Sequence, residues 1–254
     1  MSLPVLEMNW PERPASVSVI STTRRGGYSA APYDDGTGAG GLNLGTHVGD
    51  VAETVARNRA LLRQALPAEP IWLTQVHGTR VVNADVADIT LASIEADACI
   101  ATQAGVVCAI MTADCMPVLL ADSRGRVVGA AHAGWRGLAG GVLQATVNAM
   151  RDCGADDIVA WLGPGIGPHA FEVGSDVLAA FKSSQPELTA FRPMPDRAGK
   201  YLADLPALAR HLLADVGVTR VAGGEHCTVS DEARFYSFRR DRVTGRMASM
   251  IWLS

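Results

Sequence analysis

The sequence predicts a mixed α/β fold, because short apolar strand patterns cluster in its middle and helical patterns flank them. Between 71 and 131 most segments are short and rich in Val, Ile and Leu. The runs 106–111 and 127–131 have no polar side chain, which is typical of central strands that are covered on both faces. Amphipathic segments with a period near 3.6 residues precede and follow this region. This combination favours an α/β or α+β architecture with a mixed sheet.

The predicted elements follow one another without a repeat or a linker. An alternating segment at 16–22 predicts the first strand, and a loop rich in Gly, Asp and Tyr follows from 24 to 49. Asp50 is predicted to cap a helix that runs to 64. Further strands are predicted at 71–74, 80–84, 97–101, 106–111, 117–121, 126–131, 157–162, 218–222 and 247–253, further helices at 137–152, 174–183 and 204–216, and a polar stretch at 184–199. Residues 1–254 are therefore expected to form a single domain.

Composition excludes several classes of protein. The 254 residues carry a formal net charge of -4, so no excess of positive charge attracts nucleic acid. No apolar run is long enough to span a bilayer, and the first residues lack a signal-peptide pattern. The odd count of 5 Cys favours reduced thiols, and Cys99, Cys108 and Cys153 are expected to be small buried side chains. We expect a cytoplasmic protein that acts on small molecules without a membrane or nucleic-acid partner, and its oligomeric state stays open, a monomer included.

Three residues carry the strongest chemical signal. Cys115 lies in Thr-Ala-Asp-Cys-Met-Pro, where Pro117 is expected to end the ladder and turn the backbone towards a cleft. His132 lies in Ala-His-Ala-Gly-Trp-Arg-Gly, after a buried strand, and His77 lies in Thr-Gln-Val-His-Gly. One thiol and two imidazoles can hold zinc and leave its fourth position open, as in a catalytic site. Cys115 and His132 can equally form a nucleophile and its base.

Other motifs surround these residues with ligand-binding chemistry. Arg136 precedes a predicted helix whose start offers unpaired N–H groups, so phosphate is expected there. Asn43 and His47 lie in the long loop, from which they can reach a ligand or act locally. The turn 163–168 is rich in Gly and Pro, and the segment 234–240 combines aromatic rings with cations. The sequence contains no zinc-finger, Walker, G-x-S-x-G or H-E-x-x-H pattern.

Taken in order, these motifs resemble the YfiH family, also classed as polyphenol oxidase or laccase-domain proteins and as purine nucleoside phosphorylases. The resemblance covers residues 17–253 and includes Ser-Thr-Thr-Arg-Arg-Gly-Gly, Leu-Asn-Leu-Gly-Thr-His-Val-Gly-Asp, Gly-Pro-Gly-Ile-Gly and Phe-Tyr-Ser-Phe-Arg-Arg. It implies a single domain with an α/β/β/α layered sandwich related to cysteine hydrolases. It also implies zinc at His77, Cys115 and His132, which would be the catalytic residues.

The activity that the resemblance implies is phosphorolysis of adenosine, inosine and methylthioadenosine, together with deamination of adenosine. Zinc lowers the pKa of a bound water to about 7, which suits deamination. Motif membership makes Arg24, Asn43, His47, Gln75 and Arg136 the expected substrate-binding residues.

Three alternatives stay open. A copper-binding polyphenol oxidase shares these ligands, but 6 His in total cannot supply both a blue-copper site and a multinuclear copper cluster. A cysteine-type amidase acting on a cell-wall (muropeptide) precursor would use Cys115 as nucleophile and His132 as base. A metal-holding interaction module would need no activity at all.

Overall fold

The computed structural model describes residues 3–87, 94–182 and 189–254. Its strands are β1 (Val17–Ser21), β2 (Arg25–Ser29), β3 (Val81–Asn83), β4 (Ala98–Ala101), β5 (Cys108–Thr112), β6 (Met116–Asp122), β7 (Val128–Ala133), β8 (Ile158–Leu162), β9 (Glu172–Gly174), β10 (Phe191–Pro193), β11 (Lys200–Ala203), β12 (Val221–Gly223) and β13 (Met247–Leu253). Its helices are α1 (Ala52–Arg63), α2 (Trp135–Gly140), α3 (Val142–Asp152), α4 (Ser175–Lys182), α5 (Leu205–Asp215) and α6 (Phe238–Asp241).

Two sheets pack face to face at the centre of the molecule. The larger sheet has the order β12-β8-β6-β7-β4-β3, with antiparallel pairs in its middle and parallel pairs at both edges. The smaller sheet has the antiparallel order β1-β13-β5. Leu119 and Trp161 of the larger sheet lie in one apolar core with Ile110 and Ile251 of the smaller sheet. This core joins the two sheets.

Helices cover the outer face of each sheet. Because strand side chains alternate between faces, Val118 and Leu120 point away from Leu119, into a second core with residues of α3, α4 and α5. In the same way Met111 of β5 points outward into a third core with Leu62 of α1. The predicted mixed α/β fold and its α/β/β/α layering are therefore confirmed. A third sheet, β10-β11-β9, lies at the periphery.

The structure differs from the sequence prediction at several elements. The strand predicted at 71–74 forms only isolated bridges, because Ile71 pairs with Cys108 and Thr74 with Glu95. The helix predicted at 137–152 is divided into α2 and α3, and α2 begins two residues earlier, at Trp135. The two helices are separated at Gly141, whose φ of 96° lies in the left-handed region. The predicted loop 24–49 contains β2, which pairs with Gly41.

Three local predictions were wrong. Asp50 does not cap α1: Val51 occupies that position without a side-chain bond, and the Asp50 carboxylate is held by Ser29 and Asn43 instead. Pro117 does not end a ladder, because it lies inside β6 opposite His132. Cys153 is exposed rather than buried.

The polar stretch predicted at 184–199 contains β10 and precedes β11. Its residues 184–188 lie outside the described part of the chain, as does residue 183 at the end of the predicted helix 174–183. No helix within the described ranges is both long and apolar enough to cross a membrane.

The core between the sheets predicts a large cost for truncation. Leu119 is 0% exposed, so Leu119→Ala should lower the free energy of unfolding by about 2–5 kcal/mol, through lost transfer energy and a cavity. Urea denaturation followed by circular dichroism measures this change. Val86, 79% exposed, provides the control, and Val86→Ala should stay within about 0.5 kcal/mol of the parent protein. Equal effects of the two substitutions would contradict the described packing.

Candidate metal centre and its cavity

The site is built around Asp97, a fully buried carboxylate directly before β4. Its oxygens accept three successive backbone N–H groups, from Val76 at 3.1 Å, His77 at 2.9 Å and Gly78 at 2.7 Å. Hydrogen bonds to an ionised acceptor are about twice as strong as neutral ones. The three bonds to Asp97 stabilise a turn in which His77 has a φ of 62°, a conformation that non-glycine residues rarely adopt.

The same carboxylate orients His132, which lies in β7. The Nδ1 of His132 is 2.8 Å from Oδ1 of Asp97, and the His132 backbone N–H donates to the Asp97 carbonyl at 2.7 Å. Burial by itself raises the pKa of Asp97, but the bonds from His132 and Gly78 bring it below its usual range. With Nδ1 donating to this carboxylate, Nε2 of His132 is left to bind a metal or accept a proton.

Cys115 is placed by the turn between β5 and β6. Asp114, the residue before it, has a φ of 90°. The Asp114 carboxylate accepts the Thr228 hydroxyl and the Arg239 backbone N–H, each at 2.6 Å. This anchored turn brings Sγ of Cys115 to 3.6 Å from Nε2 of His77.

Gly134 lets these side chains approach one another. A Cβ at this position would lie 2.8 Å from Sγ of Cys115 and 3.1 Å from Cδ2 of His77. The motif Ala-Gly-Trp-Arg-Gly therefore supplies a steric gap beside the site as well as a turn.

Together, the structure brings His77, Cys115 and His132 into one group whose ligand atoms all lie within 4.8 Å of one another. Two imidazoles and a thiol with an oriented outer-shell carboxylate suit zinc, and copper accepts the same donors. Burial raises the pKa of Cys115, yet the facing His132 and the bonds from both imidazoles lower it to about 6. Burial lowers the pKa of His132, yet Cys115 and Asp97 raise it to about 9. The geometry thus suits either metal binding or a thiolate–imidazolium pair.

The group opens into a cavity of about 990 Å³. Its walls combine aromatic and apolar side chains with arginines, as small-molecule sites commonly do. Among the described residues, the rings that line it are Trp72, Trp135, Phe171 and Phe238, and the arginines are Arg59, Arg136, Arg239 and Arg246.

Three of the five expected substrate-binding residues line this cavity. His47 and Arg136 do so with exposed side chains, and the Arg136 guanidinium lies 4.4 Å from the centre of the Trp135 ring. Gln75 also lines it, but its amide is bonded to both the N–H and the carbonyl of Met111, each at 2.8 Å. Gln75 therefore fastens the His77 turn to β5.

The other two expected substrate-binding residues lie outside the cavity lining. The Arg24 guanidinium, in a residue 4% exposed, donates to the carbonyls of Asp34 and Glu232. Asn43 is fully buried, and its Oδ1 accepts the backbone N–H groups of Gly45 and Arg246, each at 2.9 Å. Both side chains stabilise loops, and the structure does not place either of them in the cavity lining.

Asp97, Arg59 and Arg246 also belong to the site, and none of the three is predicted from the sequence. Asp97 carries a usable signal, since a lone carboxylate between alanines at the start of an apolar strand needs buried partners. Arg59 lies on a helix and Arg246 before the last strand, and nothing in their local sequence marks them as cavity residues.

The chain is similar to known proteins over nearly its whole length. The family described as multi-copper polyphenol oxidoreductase laccase matches residues 18–254. A Pseudomonas aeruginosa protein named purine nucleoside phosphorylase is 49% identical over 98% of both chains. The purine nucleoside phosphorylase YfiH of Escherichia coli is 48% identical over 96% of both. A crystal structure from Neisseria meningitidis superposes with a TM-score of 0.89 at 49% identity, and covers 98% of this chain and 99% of the other.

Asp97→Asn should weaken metal binding without removing a ligand. The amide carries no charge and cannot serve the Val76–Gly78 turn and His132 as the carboxylate does, so the affinity for Zn²⁺ should fall about 10–100-fold. Competition with a chromophoric chelator measures the affinity. Asp85 provides the control, because its carboxylate also accepts backbone N–H groups, from Thr102 and Gln103, but does not line the cavity. An equal loss in Asp85→Asn would contradict the role given to Asp97.

Gly134→Ala should disturb the centre through sterics alone. The new methyl group would overlap Sγ of Cys115, so Zn²⁺ stoichiometry or affinity should fall while the fold remains. Elemental analysis after dialysis against the metal measures the stoichiometry. Gly140→Ala adds the same methyl at the end of α2, where the one neighbour within 4 Å among the described residues is Cγ2 of the exposed Thr79, at 3.1 Å, and should bind like the parent. Full metal content in Gly134→Ala would show that the gap is not needed.

Proposed function

The chain belongs to the family described as multi-copper polyphenol oxidoreductase laccase, and on that premise we propose that it is a zinc-dependent purine nucleoside phosphorylase. One observation carries the proposal. The His77–Cys115–His132 group opens into a cavity lined by aromatic rings and arginines, in a chain about as long as relatives that are named purine nucleoside phosphorylase. The proposed substrates are adenosine, inosine and methylthioadenosine, and adenosine deamination is a proposed second activity.

Phosphorolysis makes definite demands on the cavity. A phosphate oxygen forms a bond to the anomeric carbon, while the bond from that carbon to the purine nitrogen breaks. The electron pair of the broken bond stays on the purine, which also receives the proton of hydrogen phosphate. The cavity must therefore hold an anion, a sugar and a planar base in contact. Its arginines suit the anion, and rings such as Phe238, which is 49% exposed, suit stacking against a purine.

The residues that would hold a metal are His77, Cys115 and His132, with Asp97 fixing the orientation of His132. When bound, zinc supplies a Lewis acid that polarises an oxygen or activates water, which is the chemistry that deamination requires. The polypeptide contributes the rest: Asp97 fixes the His77 turn and the His132 ring, and the fold presents all three ligand side chains to the cavity.

The copper chemistry in the family description fits these residues less well. A multicopper oxidase needs a blue-copper site and a separate cluster with many imidazoles. Within the described part of the chain, the only group of three ligand residues is His77, Cys115 and His132. A single copper ion at that group is the most that this arrangement accommodates.

A second candidate function is a cysteine amidase that acts on a muropeptide-like substrate. The observation that favours it is the line Asp97–His132–Cys115, which resembles an orienting acid, a base and a nucleophile. The thiolate would attack the amide carbon, His132 would protonate the departing amine, and water would release the acyl group from sulfur.

Product analysis tests the leading proposal. Purified, zinc-loaded protein given adenosine and phosphate should form adenine and ribose 1-phosphate, and without phosphate it should form inosine only. His77→Ala should reduce both to background, since it removes a ligand. His169→Ala, at an exposed residue outside the cavity lining, is the matched control and should keep full activity. Mass spectrometry identifies the products, and unchanged adenosine with zinc present would overturn the proposal.

Metal removal separates the two candidate functions. A chelator should abolish nucleoside turnover, and added Zn²⁺ should restore it, if the metal supplies the chemistry. Full activity on an amide substrate in the presence of chelator would favour the thiol mechanism. Cys115→Ser does not distinguish the two, because both lose the sulfur.

A further inference from the structure

We infer that the phosphate used in phosphorolysis binds on the cavity wall formed by His47, Arg59 and Arg246, here called the arginine wall. The inference rests on the proposed function and adds to it the place of the second substrate. None of the motifs at the metal centre contributes to this wall, since Arg59 lies in α1 and Arg246 directly before β13.

The place expected from sequence, at Arg136, is less suitable. The helix that begins beside it, α2, has only 6 residues and ends at Gly140. The Arg136 side chain is exposed and stacks on Trp135. An exposed guanidinium next to a very short helix is well hydrated, so it gains little by binding phosphate.

Arg59 is held rigidly and keeps donors free. Its guanidinium lies 4.1 Å from the centre of the Trp72 ring, and its Nε donates to the Leu44 carbonyl at 3.0 Å. Its Nη2 donates to the sulfur of Met111, at 3.8 Å. Among the described residues, Nη1 has no hydrogen-bond partner, so the planar group presents N–H donors to the cavity without further ordering.

Arg246 is held in place by contacts with the loop that contains Asn43 and Gly45. Oδ1 of Asn43 accepts the Arg246 backbone N–H at 2.9 Å. The Arg246 side chain packs over Gly45, where a Cβ would lie 2.8 Å from Cγ of Arg246. Its Nη1 donates to the carbonyls of Thr244 and Gly245, at 3.1 Å and 3.0 Å. In the described part of the structure, Nε and Nη2 bond to no other residue. Asn43 is therefore a positioning residue for Arg246.

The two guanidinium groups of the arginine wall form no ion pair among the described residues, although Glu69 acts on Arg59, and Asp114 on Arg246, from a longer distance. Neither Arg59 nor Arg246 has a carboxylate within 4.0 Å among the described residues. Of the two carboxylates that line the cavity, Glu69 is bonded to Trp72 and lies 4.0 Å from Arg63, and Asp114 is bonded as described above. Partly buried cations without an anion in direct contact are costly, and a bound oxyanion reduces that cost.

All three residues of the arginine wall line the same cavity as the metal-ligand group. Partial burial lowers the pKa of the largely exposed His47, and the positive charges of Arg246 and Arg59 lower it further, so the three groups lie within electrostatic range of one another. Burial likewise lowers the pKa of Arg246, while Cys115 and Asp114 raise it, so the Arg246 end of the wall lies within electrostatic range of the Cys115 turn. Phosphate held there would lie beside a nucleoside bound at the metal centre.

The test is the Michaelis constant for phosphate in Arg59→Gln and Arg246→Gln. Each substitution should raise the KM for phosphate about tenfold or more, as expected for a lost charged hydrogen bond, and leave the KM for the nucleoside within about twofold. Arg59→Lys, which keeps the charge but not the planar donors, should lie between Arg59→Gln and the parent. Arg57→Gln is the matched control: Arg57 lies on the same helix, stacks 4.1 Å from the exposed Tyr28 and does not line the cavity. A phosphate KM unchanged in both Gln variants would overturn the inference.

A binding experiment without nucleoside separates this inference from the proposed function. Calorimetric titration of zinc-loaded protein with inorganic phosphate should show binding that both Gln variants weaken and Arg57→Gln does not. If the parent makes no ribose 1-phosphate yet binds phosphate in this pattern, the proposed function fails and the site stands. If adenosine 5′-monophosphate binds far more tightly than inorganic phosphate and loses that affinity in the same variants, the site serves a nucleotide phosphate group and the cosubstrate assignment fails.

Discussion

The buried carboxylate of Asp97 is the constraint on which the site depends. One side chain accepts the N–H groups of three successive residues, 76–78, and also fixes the His132 ring. It therefore holds the turn that carries His77 next to the strand that carries His132, although the two residues are far apart in sequence. A buried charge of this kind is tolerated only when its bonds are complete, so the turn around His77 and the ring of His132 stabilise Asp97 as much as it positions them.

The layered fold explains why the chemistry collects at one edge. β5, β6 and β7 bring the Cys115 turn and His132 together, and the face-to-face packing of the sheets keeps the strands fixed beneath them. α1 and the segment before β13 then add Arg59 and Arg246 from the layer of the smaller sheet. The metal-ligand group and the arginine wall thus come from different layers of the fold and line the same cavity.

Much of the fold and the centre of the site could be predicted from sequence. Apolar runs without polar positions identified β5 and most of β7, and residue chemistry selected Cys115, His132 and His77. The break of the helix at Gly141 and the failure of Asp50 to cap α1 depend on tertiary contacts, because Asp50 is bonded to Ser29 and Asn43 instead. Asn43 shows the same limit: its motif marked it as important, but only the structure shows that it supports Arg246 rather than touching the cavity.

Cobalt substitution tests the central claim, that His77, Cys115 and His132 form a metal centre that faces the ligand cavity. Co²⁺ accepts the same nitrogen and sulfur donors as zinc and reports them by its visible absorption. One equivalent should bind, give a thiolate-to-metal charge-transfer band that disappears in Cys115→Ala, and change its visible spectrum when adenosine is added. Binding without a thiolate band, or a spectrum that adenosine leaves unchanged, would contradict the account.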